Sequence, residues 1–515
     1  MRLSPLLAAV PSELSPQTFP ADIAPNDTVI RGIGYDSRTV APGDLFVALR
    51  GADQDGHDYL AEALRAGASA LLVEDRSRLP ADIGVPVIVV ADTRRALAHV
   101  ARSFYGNPAA ELSLVGITGT NGKTSTAYLV ESILGHAGLS VGLIGTVVVR
   151  FGAESVRATN TTPESLDLQK ILRAMRTQSV DSVVMEVSSH GLELGRVEGC
   201  NFAVAGFTNL SQDHLDFHGD MEHYRQSKLR LFETYLDPKG TAVVNIDDPA
   251  SDAILEITRR RGAKTLTTSQ RADSAAEIRI LEAECGIDGS HGRIRLGGQS
   301  LDFSLPLLGD FNLENLGVAC GIAIALEIPI EAILEGVAEC PQVPGRMERI
   351  AAGPKAAPTV IVDYAHTPDA VEKLLAALAP LTSGRLITVF GCGGDRDRSK
   401  RPLMAREVAR HSDRVVLTSD NPRTEDALGI LREVEAGLAG LERRDDPSQT
   451  GAPASYTVVE DRATAIAGAV SEAEPGDTVV IAGKGHEDYQ IVGREKRPFD
   501  DRREAARGLK VWTRA

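Results

Sequence analysis

Gly116-Ile117-Thr118-Gly119-Thr120-Asn121-Gly122-Lys123-Thr124 stands between an apolar run and a segment with helical periodicity. Leu112 to Ile117 reads as a buried strand, and Thr124 to Gly135 repeats apolar residues at helical spacing. The glycine-rich turn between them therefore presents backbone N–H groups and the start of a helix to an anion. Lys123 would neutralise the charge of β- and γ-phosphates, and the Thr124 hydroxyl would hold Mg²⁺. The common phosphate-loop spacing puts its first glycine at position 117, where this chain has Ile117. The pattern is displaced, and its flanks still predict a strand, a cradle and a helix.

Outward from the cradle, 515 residues suggest about three domains, and 43% apolar residues suit ordinary globular cores. Lys+Arg 55 against Asp+Glu 71 gives a net charge of -16, which argues against non-specific nucleic-acid binding and against attraction to anionic membranes. Five cysteines, Cys200, Cys285, Cys320, Cys340 and Cys392, lack paired metal spacing and read as reduced, buried fillers in the cytoplasm. No apolar run reaches membrane-spanning length, and Leu3 to Val10 lacks a cleavage region.

Residues 1–108 hold short strands and turns, with the helix-like Asp58 to Ala66, and end at the breakers Gly106-Asn-Pro108. In 109–340 apolar strands alternate with amphipathic helices, Ser182 to Val187, Ala203 to Phe207 and Thr241 to Ile246 being the clearest strands. That alternation predicts a mainly parallel sheet. Pro341-Gln-Val-Pro344-Gly345 reads as a hinge to a further α/β domain, 341–515, with buried strands at Thr359 to Val362, Leu386 to Phe390, Val415 to Leu417 and Thr478 to Ile481. Each of these runs into polar or glycine-rich residues at its C-terminal end, where open α/β sheets bind ligands. Leu438 to Ala454 reads as an exposed loop.

Two polar clusters could complete a nucleotide-metal site: Met185-Glu186-Val-Ser188-Ser189-His190 and Asn209-Leu-Ser-Gln-Asp213-His214-Leu-Asp216-Phe-His218. A carboxylate at a strand end suits Mg²⁺, histidine spacing alone would suit zinc, and the phosphate loop favours magnesium. A structural reading, with His214 and His218 capping neighbouring backbone, stands beside it.

With Gly309-Asp-Phe-Asn-Leu-Glu-Asn315, Pro344-Gly-Arg346 and Asp363-Tyr-Ala-His366-Thr-Pro368 added, the chain resembles the Mur ligases, ATP-dependent amide-forming enzymes of peptidoglycan synthesis, over almost its whole length. The displaced first glycine is the form this family uses. The resemblance implies three α/β domains: a small N-terminal one binding the UDP-sugar (1–108), a central P-loop ATPase-like one with a mainly parallel sheet binding ATP (109–340), and a Rossmann-like C-terminal one binding an amino acid (341–515). Within the family, Asp420-Asn421-Pro422-Arg423 resembles members that add meso-diaminopimelate to UDP-N-acetylmuramoyl-L-alanyl-D-glutamate; lysine-adding members depart from it at the arginine. A guanidinium can grip the second carboxylate of diaminopimelate with two parallel hydrogen bonds, and lysine has no such group.

The resemblance implies that ATP phosphorylates the D-glutamate γ-carboxylate and that the amine of diaminopimelate attacks the acyl-phosphate. Gly116 to Ser125 would cradle ATP, with Asn315, Arg346 and Asp363 as further contacts. Thr124, Glu186, His214 and Lys228, the last as a carbamate, would hold Mg²⁺, and Lys123, Glu186, His214 and Lys228 would be the catalytic set. Ser37, Asn160, Thr161, Thr162, Ser188 and Arg196 match UDP-sugar and muramoyl-dipeptide contacts, while Leu194 stands where some relatives carry glutamine. Arg396, Asp420 to Arg423, Gly483 and Glu487 match the diaminopimelate site, the arginines taking carboxylates and Glu487 the ammonium. The implied enzyme is a cytoplasmic monomer that closes its domains to react. A folylpolyglutamate-synthase-like ligase would share the nucleotide half but leave Asp420 to Arg423 and Ser37 unexplained, and a nucleotide switch would need no acceptor site.

Overall fold

The computed structural model describes residues 1–19, 28–51, 54–81, 83–354, 356–444 and 454–513. Three large sheets follow one another along the chain, with a separate antiparallel pair formed by Tyr489–Val492 and Glu495–Pro498. The first runs Gln17–Phe19, Val87–Val89, Ala70–Val73, Asp44–Val47, Gly32–Gly34 and is parallel except at the Gln17–Phe19 edge. Its strands are apolar on both sides because the faces pack against separate clusters, around Leu45, Leu72 and Ile88 on one side and Phe46, Leu71 and Val87 on the other. Leu3 and Leu6, in the helix Leu3–Ala8, are buried in the first cluster. The helical stretch expected at 58–66 is a 3₁₀ turn, Gly56–Tyr59, running into the helix Leu60–Arg65.

The middle sheet has eleven strands. Seven of them, from Val141–Ile144 across to Ile278–Gly286, are joined in parallel, as the alternating pattern predicts. Its two edges differ from that pattern. On one side Ile278–Gly286, Gly289–Leu296 and Gln299–Leu305 form an antiparallel meander, and on the other Val148–Phe151 and Glu154–Arg157 form a hairpin. Turns such as Ile287-Asp288 reverse the chain directly, with too few residues for the helical crossover that a parallel neighbour needs.

The third sheet orders Glu348–Arg349, Thr359–Asp363, Thr478–Ala482, Leu386–Phe390, Arg414–Leu417, Ser455–Val458 and Glu442–Arg443, with only the first pair antiparallel. The four expected strands are its centre. Glu442–Arg443 is a short edge strand inside the stretch expected as loop, and 445–453 of that stretch lie outside the described residues. Pro341 to Gly345 links the helix Ile330–Ala338 to this sheet. Among the described residues no helix is long and apolar enough to cross a membrane.

Candidate active site

The phosphate loop sits where the middle sheet changes direction of growth. Ser113–Thr118 lies between Ser182–Glu186 and Phe202–Phe207, with Glu186 level with Ile117 and Phe207 level with Thr118. Three C-terminal strand ends thus open on one crevice, which brings together two of the polar clusters and the cradle. The helix Lys123–His136 starts directly after the loop. Gly119 (φ +153°) and Gly122 (φ +82°) are fixed by space as well as by backbone angle: a Cβ would come within 1.9 Å of Thr208 Oγ1 and 2.1 Å of Asn315 Oδ1 respectively. Asn315, buried in the helix Phe311–Ala325, therefore closes over the loop.

The segment after Phe207 fastens the cradle. Thr120 N–H donates to Asn209 O (2.8 Å), Asn121 N–H to Asn209 Oδ1 (2.9 Å), and Thr208 Oγ1 to Asn121 O (2.6 Å). Lys123 folds back, donating from Nζ to the carbonyls of Gly119 (2.9 Å) and Thr120 (2.7 Å), a posture a bound phosphate would replace. Lys228, in the helix Met221–Arg230, is buried, donates to the same Gly119 carbonyl (2.7 Å) and lies 4.4 Å from the Tyr224 ring centroid. Burial holds its ammonium well below the usual lysine range, and nearby Lys123 adds to the effect. A neutral amine of that kind is the form that can add CO₂ and become a carbamate.

Glu186 is buried and accepts three hydrogen bonds, from Thr124 Oγ1 (3.0 Å), Thr146 Oγ1 (2.9 Å) and Thr146 N–H (2.9 Å). A hydroxyl and a carboxylate side by side at a phosphate loop form a hard oxygen set that fits Mg²⁺. Among the described residues no three His, Cys, Asp or Glu side chains form a ready metal cage. Mg²⁺ sites commonly use one or two carboxylates with substrate phosphates instead. His214 has φ +54°, and its ring meets His190 edge-on at 4.7 Å. Its ring, still partly exposed, is held below the ordinary imidazole range by partial desolvation and by the nearby Lys123 and Lys228 charges, and burial beside His214 and His218 takes His190 to about 4. His218 bonds the Ser189 and Ser227 hydroxyls (3.0 and 3.4 Å), side-chain partners in place of the backbone capping considered above.

The expected donor contacts gather beside Glu186. Thr162 Oγ1 bonds Glu186 O (3.0 Å) and Ser188 Oγ (3.1 Å), Arg196 Nη1 donates to Thr162 O (3.0 Å), and Thr161 Oγ1 is 3.0 Å from Thr146 Oγ1. Asn160 is exposed at the rim. Ser37 lies on the first sheet's side and bonds Glu62 Oε2 (3.1 Å). Its neighbour Tyr35 reaches Asp167 Oδ2 (2.5 Å), and Arg94 pairs with Glu164, joining that sheet to the start of the helix Ser165–Thr177.

Across the seam, Arg346 stacks its guanidinium 4.6 Å from the Tyr364 ring centroid, and the carboxylate of Asp363 accepts from Met347 and Ala365 N–H (both 2.7 Å). Burial raises the Asp363 carboxyl above its usual range. Asp420 to Arg423 follow the strand Arg414–Leu417, and Gly483 to Glu487 follow Thr478–Ala482. Asn421 Nδ2 donates to Glu487 Oε2 (3.0 Å), and Arg423, at φ +51°, donates to Gly394 O (2.6 Å). Arg396 is exposed, with Nη1 on Asp395 O (3.2 Å), at the outer edge of this group. The two halves meet: Asn121 Nδ2 and Ser211 Oγ lie 3.5 and 3.2 Å from Asp369 Oδ2, near the start of the third sheet's helix Pro368–Leu378. The sequence did not single out Thr146, Asp369 or Lys484, whereas Asn209 headed one of the two polar clusters. Only Lys484 had a signal, its place between two turn glycines.

Comparison with known proteins agrees with this layout. Residues 29–105 match the profile described as Mur ligase family, catalytic domain, residues 117–323 the Mur ligase middle domain, and residues 345–485 the Mur ligase, glutamate ligase domain. A protein of Geobacter metallireducens, UDP-N-acetylmuramoyl-L-alanyl-D-glutamate--2,6-diaminopimelate ligase, is 45% identical over 491 residues, covering 93% of each chain. A solved structure of a ligase with the same name is 33% identical with a TM-score of 0.65, covering 95% of this chain and 96% of that one. Folylpolyglutamate synthase of Mycobacterium tuberculosis, solved with ADP and AMPPCP, shares the fold at 21% identity and TM-score 0.61, covering 76% of this chain and 93% of its own.

Proposed function

The chain belongs to the Mur ligase family, and from that membership and the site's geometry we infer that it is an ATP-dependent, ADP-forming ligase joining meso-diaminopimelate to the D-glutamate γ-carboxylate of UDP-N-acetylmuramoyl-L-alanyl-D-glutamate in peptidoglycan precursor synthesis. The observation that supports this most is the contact of the phosphate-loop side with the third sheet's helix at Asp369, as expected of a nucleotide site and an acceptor site that work together.

The γ-carboxylate attacks the terminal phosphorus of ATP and ADP leaves; the acceptor amine then attacks the acyl carbon, phosphate leaves and the amine gives up a proton. Holding three reactants in line is the protein's main contribution. Gly116 to Ser125 bind the phosphates, with Lys123 turning from its own loop to the γ-phosphate, and Asn315, Arg346 and Asp363 hold the rest of ATP. Thr124, Glu186, His214 and carbamylated Lys228 hold Mg²⁺, which when bound supplies charge neutralisation at the phosphates. Residues 1–108, with Ser37, take the uridine end. Asn160, Thr161, Thr162, Ser188 and Arg196 take the muramoyl dipeptide; Arg396, Asp420 to Arg423, Gly483 and Glu487, in 341–515, take diaminopimelate. The enzyme works as a monomer in the cytoplasm, where ATP is available.

The test is phosphate release with ATP, Mg²⁺ and the muramoyl dipeptide, comparing meso-diaminopimelate with L-lysine. Turnover with diaminopimelate alone is expected. Equal turnover with lysine would overturn the acceptor, and turnover that ignores both would overturn the ligase.

A further inference from the structure

Lys484 is a buried cation that the roles above leave unused. It stands one residue beyond Gly483 at the end of the strand Thr478–Ala482, and its side chain is 0% exposed. Its Nζ is 3.0 Å from Glu487 Oε2, 3.1 Å from Asn421 Oδ1 and 3.4 Å from Asp420 Oδ1. A fully buried lysine surrounded on three sides by acceptor-site groups is costly unless those groups need it.

Two consequences follow from these distances. Asn421 is fixed at both ends of its amide: Oδ1 accepts from Lys484 and from Ile491 N–H (2.9 Å), so Nδ2 must face Glu487 Oε2 (3.0 Å). Glu487 Oε2 is thereby filled by two donors, while Oε1 has only the long 3.5 Å contact with the Tyr489 hydroxyl among the described residues. One carboxylate oxygen is left to receive an ammonium. The second consequence is charge. Asp420 and Glu487 contribute two negative charges and Lys484 one positive, while Arg462 behind them is matched by Asp501 through two 2.7 Å bonds. Lys484 thus offsets one of the two carboxylates, while Arg423 of the same motif turns its guanidinium to Gly394 O at the edge of the group.

We propose that Lys484 is a positioning and specificity residue for the acceptor: it locks Asn421 and Glu487 so that Glu487 Oε1 takes one ammonium of the incoming amino acid. This rests on the ligase reading, and hydroxylamine separates the two. Hydroxylamine attacks an acyl-phosphate without an acceptor site, giving a hydroxamate and phosphate, so it reports the first half-reaction alone.

The experiment measures hydroxamate formation and diaminopimelate-dependent phosphate release in wild type, Lys484→Met and Lys484→Arg. In Lys484→Met, kcat/KM for diaminopimelate is expected to fall at least about 100-fold, mostly in KM, as for loss of one partner from a buried charge pair. Hydroxamate formation and the KM for ATP stay within about threefold of wild type, and Lys484→Arg, which keeps the cation, retains more activity than the methionine variant. A proportional loss of both reactions would show a merely structural role and overturn the proposal, as would an unchanged KM for diaminopimelate. Wild-type enzyme that makes hydroxamate yet ignores diaminopimelate would overturn the acceptor assignment and this proposal with it.

Discussion

Thr146→Val tests whether the carboxylate of Glu186 is a metal-site group held in place by its neighbours. Valine keeps the shape of threonine and removes one hydroxyl, which donates to Glu186 Oε2 at 2.9 Å and meets Thr161 Oγ1 at 3.0 Å. The backbone N–H of residue 146 still reaches Oε1, so the carboxylate loses one of three donors and stays in place. A hydrogen bond to a charged group is worth about 1.5–3 kcal/mol, which converts to roughly 10- to 150-fold in an equilibrium constant. Residues that orient metal ligands typically change metal affinity by about 10- to 100-fold when removed, the same range. The half-saturating Mg²⁺ concentration for phosphate release is therefore expected to rise by about 10- to 100-fold, with kcat largely recovered at saturating Mg²⁺. The lost contact to Thr161, a neutral pair worth about 1 kcal/mol, should raise the KM of the muramoyl dipeptide by about fivefold. Thr146→Ser restores the hydroxyl and should restore both values. A valine variant whose Mg²⁺ titration stays within twofold of wild type would refute the reasoning.

Lys123→Ala should lower kcat by about 100- to 1,000-fold, the usual cost of one donor to transition-state charge, while thermal unfolding stays close to wild type because, among the described residues, Nζ bonds only its own loop; a large drop in Tm would show a structural role instead. Arg423→Ala should raise the KM for meso-diaminopimelate by about 30-fold or more, the cost of a charged bidentate contact, and leave the KM for ATP alone; parallel steady-state titrations decide this. Glu314, half-buried near Asp247, has its carboxyl raised from 4.5 to about 7, loss of water being the main cause and the Asp247 charge the next. A carboxyl raised by folding binds its proton more tightly in the folded state, so its contribution is complete below pH 4.5 and is lost as pH rises through 7. The stability of wild type relative to Glu314→Gln should therefore fall between pH 5 and 8, beneath the opposite trend set by the depressed histidines; a Tm difference between the two that does not change with pH, by calorimetry, would count against the burial argument.

The sites were legible where one short segment carries its own chemistry. The cradle from Gly116 to Thr124 needs only a strand, a turn and a helix in immediate succession, and all three are local. The same holds for Asp420 to Arg423, which follows a buried strand. Thr146 carried no signal, since a threonine after a short strand has dozens of ordinary uses and its bond to Glu186 joins residues 40 positions apart. The edge meander and hairpin of the middle sheet escaped for a related reason: period-two strands show that a strand exists, and its direction depends on the turn and on which edge is open.

By itself the sequence determined the parallel α/β layering, the glycine-rich loop after its strand, the motif from Asp420 to Arg423 and the family, because apolar periodicity and glycine-rich turns act over a few residues. Only the tertiary structure decided that Glu186 stands against Thr124, that Asp369 touches the phosphate-loop side, and that Lys484 lies among Asp420, Asn421 and Glu487. Those contacts join strand ends far apart in the chain. They are set by strand order and register across whole sheets, and by the burial that makes a charged neighbour necessary.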